Sequence, residues 1–276
     1  FLKSLIEELE SILPPLRVLK EYKDHFYENV FPNLPFLNVA SFENSLSHTL
    51  FEDENDSSRV KIRLGSSRLR NKVENICLLL VILKLSHISL SFIEEGSLND
   101  DFQSGENLIQ KYPIGNGYIV MVENCLLAEN MYSCANENIL TCLLYIWSFF
   151  VYYPEEGDFF LEHPTDVLGG LIVMLATSIG LHRDPSEYPQ LEAIAKAEPG
   201  IFNHRRILWL AVITTVSFES CLKGRYPLSL EESMNHFVDM RHPNALGEYL
   251  ERIKKDMESP DPSFLKHFEN GFKRAI

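Results

Sequence analysis

The chain has 276 residues, 45% of them hydrophobic and 23% charged, with 25 Lys and Arg against 39 Asp and Glu. That is an ordinary globular composition with ample length to bury a core, and a net charge of −14 is a poor match for gripping nucleic-acid phosphates directly. The five cysteines, Cys77, Cys125, Cys134, Cys142 and Cys221, form no Cys-x-x-Cys pair, which argues against a disulfide framework or a structural zinc site and fits a reducing compartment.

The first segment carries Leu2, Leu5, Ile6, Leu9, Ile12 and Leu13 at the spacing of a one-sided helix, which Pro14-Pro15 ends. Its acidic residues separate it from a signal peptide, and with Phe1 rather than Met at the start a fragment or a processed product is expected. Pro15 opens a second helix striped by Leu19, Tyr22, Phe26 and Val30. Pro32 and Pro35 then bracket a rigid turn, and Ser41 is expected to cap a helix with Phe42, Leu46 and Leu50. Residues 52–68 are polar, charged and serine-rich, so a mobile loop is expected there. Their basic residues, Arg59, Lys61 and Arg63 with Arg68, Arg70 and Lys72, follow an acidic run and read as a solvated surface.

The longest apolar run, Cys77 to Ile93, is interrupted by Lys84, His87 and three serines, so it reads as a buried core helix and not a bilayer span. After a weak stretch at 94–117, helices are expected at Tyr118–Tyr132, Ile139–Tyr153, Val167–Leu181 and Ile201–Leu222. Strand-like alternation is rare. The fold class is therefore all-α, with helical hairpins packed as an irregular α-solenoid or bundle in a single fragment: N-terminal helices over 1–51, the loop at 52–68 and a helical core over 69–276.

Catalytic and metal constellations do not assemble. His182-Arg183-Asp184 mimics a kinase catalytic loop, yet Pro189 stands where the metal-holding Asn belongs and no phosphate-cradling Gly-rich loop precedes it. The nine histidines are dispersed, and Cys125, Cys142 and Cys221 lie in apolar stretches that disfavour a thiolate. No catalytic residue and no metal ligand is assigned, and an enzyme is not expected. Gly180 instead suits a left-handed helix end, with His182 and Arg183 at the negative pole of the helix dipole. Trp147, Met174, Trp209 and Phe218 are candidates to line an apolar pocket between helices for a small hydrophobic effector.

Several phrases then stand in a familiar order. Ala176-Thr177-Ser178-Ile179-Gly180-Leu181-His182-Arg183-Asp184-Pro185 is followed by Asn203-His204-Arg205-Arg206-Ile207-Leu208-Trp209 and by Gly224-Arg225-Tyr226-Pro227-Leu228-Ser229-Leu230. With the helix from Asn138 to Tyr153, these resemble the fungal-specific regulatory, or middle homology, region of zinc binuclear cluster transcription factors, over 138–232. The opening Val30-Phe31-Pro32 and Leu34-Pro35-Phe36-Leu37 is similar to the start of that region. The family often carries an Asp between the Trp and the Gly-Arg phrase, where this chain has Glu219.

The resemblance implies a nuclear, RNA polymerase II-specific regulator of transcription, with this region controlling activation output through co-regulators or a small effector. Zinc and DNA would be held by a cluster in the parent protein outside this chain. No membrane partner is implied, and a homodimer of the parent is. It also marks Gly180, His182, Arg183, Asp184, Arg205, Arg206, Trp209, Gly224 and Arg225 as motif residues. One of the arginines 183, 205 and 206 is expected to pair with Asp184 or Glu219 and lock adjacent helices. The competing reading is a stand-alone helical scaffold that binds proteins.

Overall fold

The computed structural model describes residues 2–53, 56–65, 67–96, 108–128, 130–152, 165–191 and 200–223, with Glu251. They divide into two compact units. The first is drawn from Phe1–Leu34 and Val39–Asn130, the second from Pro35–Asn38 and Met131–Glu269. Apart from one short hairpin, the regular structure of both is helical, so the all-α class stands.

In the first unit, helix α1 (Leu2–Ile12) buries Leu5 and Leu9. Helix α2 (Leu16–His25) continues into a π turn, Phe26–Val30, and its stripe of Leu19, Tyr22 and Phe26 is at most 1% exposed. Helix α3 (Val39–Ser47) starts two residues before Ser41, which therefore lies inside the helix and is not its cap. Phe42 and Leu46 are buried as expected, whereas Leu50 has left the helix for a strand.

That strand corrects the loop expected at 52–68. β1 (Leu50–Asp53) and β2 (Asp56–Ile62) form an antiparallel hairpin in the register Leu50↔Ile62, Phe51↔Lys61, Glu52↔Val60. A period of two explains it. Val60, Ile62 and Leu64 turn inward and are buried, while Arg59, Lys61 and Arg63 face out between them. Glu10 of α1 fastens the hairpin, since its carboxylate accepts from Lys61 Nζ and from the Ile62 amide, both at 2.9 Å. The Arg63 guanidinium lies 4.8 Å from the Phe51 ring centroid.

The centre of the unit is α4 (Leu69–Gly96), in which Ile76 through Leu83 are at most 2% exposed. It packs against α2, the π turn, α3 and α5 (Gly117–Ala128). The helix is longer than its apolar run. Leu69–Phe92 is long and apolar enough to cross a bilayer, and 72% of its most apolar window is buried inside the protein. Surrounded on most sides, α4 accommodates buried polar side chains by giving them partners, two of them backbone carbonyls. Ser86 Oγ donates to the Tyr22 carbonyl at 2.9 Å and Lys84 Nζ to the Ile114 carbonyl at 3.2 Å. Tyr22 Oη donates to the Tyr112 carbonyl at 2.9 Å. His87 stacks on Tyr22, and burial together with the Lys84 charge pushes its pKa down to about 4.

The second unit contains α6 (Glu137–Tyr152), α7 (Thr165–Ser178) and α8 (Ile201–Lys223), each packed against the other two. Asn136 Oδ1 caps α6 by accepting from the Ile139 amide at 3.0 Å. Every residue from Ile139 to Phe149 is buried, which accounts for the aromatics found all round this helix. The strap Pro35–Asn38 belongs here by its contacts, although chain on either side of it belongs to the first unit.

Candidate functional site

The motif residues gather where α8 begins. Asn203, His204, Arg205 and Arg206 are four consecutive polar residues, 2–6% exposed, in a helix otherwise lined by Ile207, Leu208 and Trp209. Polar groups persist in such a place only if their partners are fixed. His204 Nε2 donates to the Phe36 carbonyl at 3.0 Å, an assignment set by the carbonyl's having no proton to give. Burial holds the imidazole below its ordinary pKa, outweighing the Phe36 carbonyl and Glu137, which favour the charged form.

The same carbonyl of Phe36 accepts from Thr141 Oγ1 at 3.3 Å. Its ring lies 5.3 Å from that of Tyr145, whose hydroxyl is hydrogen-bonded to the backbone of Phe36 and Leu37 and is driven well above its ordinary pKa by burial. The strap is thus clamped between α6 and α8.

Arg205 spans two helix ends. It pairs with Glu137 in the first turn of α6 and donates from Nη2 to the Ile179 carbonyl at 2.7 Å. Ile179 is the C-cap of α7, where Gly180 adopts φ +74°. There the Gly180 amide donates to the Thr177 carbonyl and the Leu181 amide to the Ala176 carbonyl, both at 3.0 Å. This is a Schellman ending, with Leu181 buried beneath it. A Cβ on Gly180 would sit 3.0 Å from Tyr188 Oη in a backbone region L-residues avoid. Gly180→Ala is therefore expected to lose about 1–2 kcal/mol. An unchanged urea midpoint would show that this helix end is free to rearrange.

Arg206 pairs with Asp184 through both prongs, Nε to Oδ2 at 3.1 Å and Nη2 to Oδ1 at 2.9 Å, with the side chains 4% and 0% exposed. Ser186 adds its amide at 2.9 Å and its hydroxyl at 2.5 Å to the same Oδ1. Burial alone would raise the Asp184 pKa, but the hydrogen bonds from Arg206 and Ser186 and the Arg206 charge hold it at about 2. His182, next to this pair, packs edge-on against Trp209 with centroids 6.3 Å apart. Arg183 is exposed.

Of the two carboxylates weighed as an arginine's partner, Asp184 meets Arg206, while Glu219 serves other donors. Its buried carboxylate accepts from Trp147 Nε1 at 3.1 Å and from Thr165 Oγ1 at 2.7 Å, joining α6, α7 and α8. Trp147 and Phe218, two of the pocket candidates, lie 6.1 Å apart with Tyr152 alongside. The other two do not join them. Trp209 is fully enclosed against His182, and Met174 is 55% exposed on α7. Gly224 and Arg225 lie outside the described residues. Glu137, Thr165 and the Phe36 carbonyl escaped sequence reasoning. The only signal for Glu137 was its place in the first turn of a capped helix, and a carbonyl leaves none.

Among the described residues, no group of three or more His, Cys, Asp or Glu is arranged to hold a metal ion. The connections made at this site tie helix ends together.

No family model and no solved structure matches the chain. Curated proteins do. The chain is 50% identical over 275 residues to Oleate-activated transcription factor 1 and 40% identical over 276 residues to Peroxisome proliferation transcriptional regulator, both of Saccharomyces cerevisiae. It is 27% identical over 238 residues to Regulator of drug sensitivity 1 of the same yeast. These alignments take in 99%, 99% and 86% of the chain but only 26%, 28% and 27% of the relatives, so the chain spans about a quarter of the length of the curated proteins it matches. Its relatives are transcriptional regulators and not enzymes. The order of the motif phrases and the near-complete coverage of the chain agree: its homologues are yeast zinc-cluster transcription factors, and the chain is consistent with the fungal regulatory region of that family.

Proposed function

We propose that this chain is the regulatory domain of a nuclear, RNA polymerase II-specific zinc-cluster transcription factor and sets its activation output in response to a small apolar effector. The observation that carries the reading is 50% identity over 275 residues with a protein named for activation by oleate. A long-chain carboxylate is accordingly the effector class to try first. In this reading DNA is reached through a zinc cluster elsewhere in the parent, which acts as a homodimer and passes its output to co-regulators.

The packing of the second unit supports it. A buried polar network with fixed partners has few intermediate arrangements, so an effector that favours one packing shifts the population between discrete states. The corner formed by Trp147, Tyr152 and Phe218 is where an apolar effector would enter, since Tyr152 and Phe218 are 52% and 37% exposed above a buried indole.

The test places the chain between an unrelated DNA-binding domain and an unrelated activation domain in yeast. Reporter output is expected to rise severalfold on oleate, and the tryptophan emission of the purified chain to change on titration with oleate. Output and emission both indifferent to oleate and to other lipids would favour the protein-binding scaffold instead.

A further inference from the structure

The loop between α7 and α8 carries one more feature. Ser186 is exposed in a 3₁₀ turn, Pro185–Glu187, and its hydroxyl touches the carboxylate on which the buried Arg206 pair depends. The Oδ1 atom that receives the Ser186 hydroxyl at 2.5 Å also receives Arg206 Nη2 at 2.9 Å. Three residues upstream, Arg183 is exposed and stands outside this network. A solvent-facing nucleophilic hydroxyl thus lies one atom from a pair that is 4% and 0% exposed, beside an arginine that an acidic groove can read. Ser217, also exposed, lies within α8 and has Thr214 at the corresponding upstream place.

We propose that Ser186 is a phosphorylation site for a serine kinase that reads an arginine three residues upstream, and that the phosphate releases Asp184 from Arg206. The kinase transfers the γ-phosphoryl group of ATP. A bond forms between Ser186 Oγ and phosphorus, the β–γ bridging P–O bond breaks and ADP leaves. The hydroxyl proton passes to the kinase's base and then to solvent. The product can no longer donate to Asp184 Oδ1. It instead brings about −1.5 to −2 charges to within contact of an ionised carboxylate. Two anions then compete for one guanidinium, whose planar fork suits a phosphate as well as a carboxylate. Arg183 supplies a second cation on the solvent side. The start of α8 loses its tie to the loop while the Schellman ending and the Arg205 contacts remain.

The site is independent of the effector reading, because neither readout below needs a lipid. The folded chain is incubated with ATP and the catalytic subunit of an arginine-directed kinase, and intact mass is recorded. One phosphate is expected to map to Ser186, absent from Ser186→Ala and reduced at least about tenfold in Arg183→Ala. Ser66 also follows an arginine by three residues, so Ser186→Ala separates the two positions. The phosphorylated chain is expected to unfold at lower urea than the unmodified chain. That difference is expected to vanish when Arg206→Met and Asp184→Leu are combined. No phosphate at Ser186 in the folded chain overturns the site, and phosphate without a shift in the urea midpoint overturns the release of Asp184.

Discussion

Arg206→Ala is expected to destabilise the second unit by about 3–5 kcal/mol, because it leaves the Asp184 carboxylate buried without its cation. The readout is selective. Both tryptophans of the chain, Trp147 and Trp209, lie in the second unit, so the emission change during urea unfolding follows that unit alone. Replacing the pair by Arg206→Met with Asp184→Leu is expected to recover most of the loss, since two apolar side chains impose no uncompensated charge. The loss also has a defined pH dependence. Asp184 is held at about 2 in the folded chain, below its unfolded value near ~3.9, so its contribution is complete above the unfolded value and disappears as pH falls through about 2. The gap between wild type and Arg206→Ala should accordingly close between about pH 4 and pH 2. A loss within about 0.5 kcal/mol at neutral pH would show that the pair contributes nothing beyond a surface contact.

Trp209→Ala is expected to cost a similar amount, about 3–5 kcal/mol, for a different reason. Its side chain is the largest fully buried one among the described residues, so truncation removes apolar contact and leaves a void that α7 and α8 fill only in part. This loss should not change between pH 4 and pH 2, which separates it from the Arg206 effect. Trp209→Phe should lie between the two, since it keeps an aromatic face against His182. The variant also isolates Trp147, whose indole N–H is held by Glu219. If Trp209→Ala unfolds at the wild-type urea concentration, then the helices close over the gap and the core is plastic there.

These two residues show what a sequence discloses and what it withholds. The apolar period of three and four placed α1, α6, α7 and α8 within a few residues, because burial needs that spacing, while the apolar run Cys77–Ile93 marked only the core of α4. Gly180 was legible as a helix end because a glycine after an apolar helix has a specific backbone use. The hairpin was hidden because its buried row, Val60, Ile62 and Leu64, alternates with arginine and lysine, and composition weighed more than period in that stretch. The order of the motif phrases identified the family, and the structure supplies their chemistry. His182 meets Trp209, and Asp184 meets Arg206 across 22 positions of sequence. Glu137 drew no notice and Glu219 was weighed only as an arginine's partner, since what each carboxylate meets depends on which neighbours arrive. The Phe36 carbonyl could not have been found at all, as every residue has one.

That carbonyl decides how the protein can be divided. Its four-residue strap belongs to the second unit, although the first unit supplies chain on both sides of it. No single cut in the gene therefore separates the units, and residues 131–269 expressed alone lack the acceptor that Thr141 and His204 share. In such a half the Thr141 hydroxyl keeps the Glu137 carbonyl at 2.8 Å, but His204 Nε2 faces an apolar gap where the Phe36 ring belongs. A short peptide spanning residues 35–38, or a circular permutation that brings those residues in beside Met131, would restore what the cut removed. Soluble recovery of the fragment should depend on that supplement.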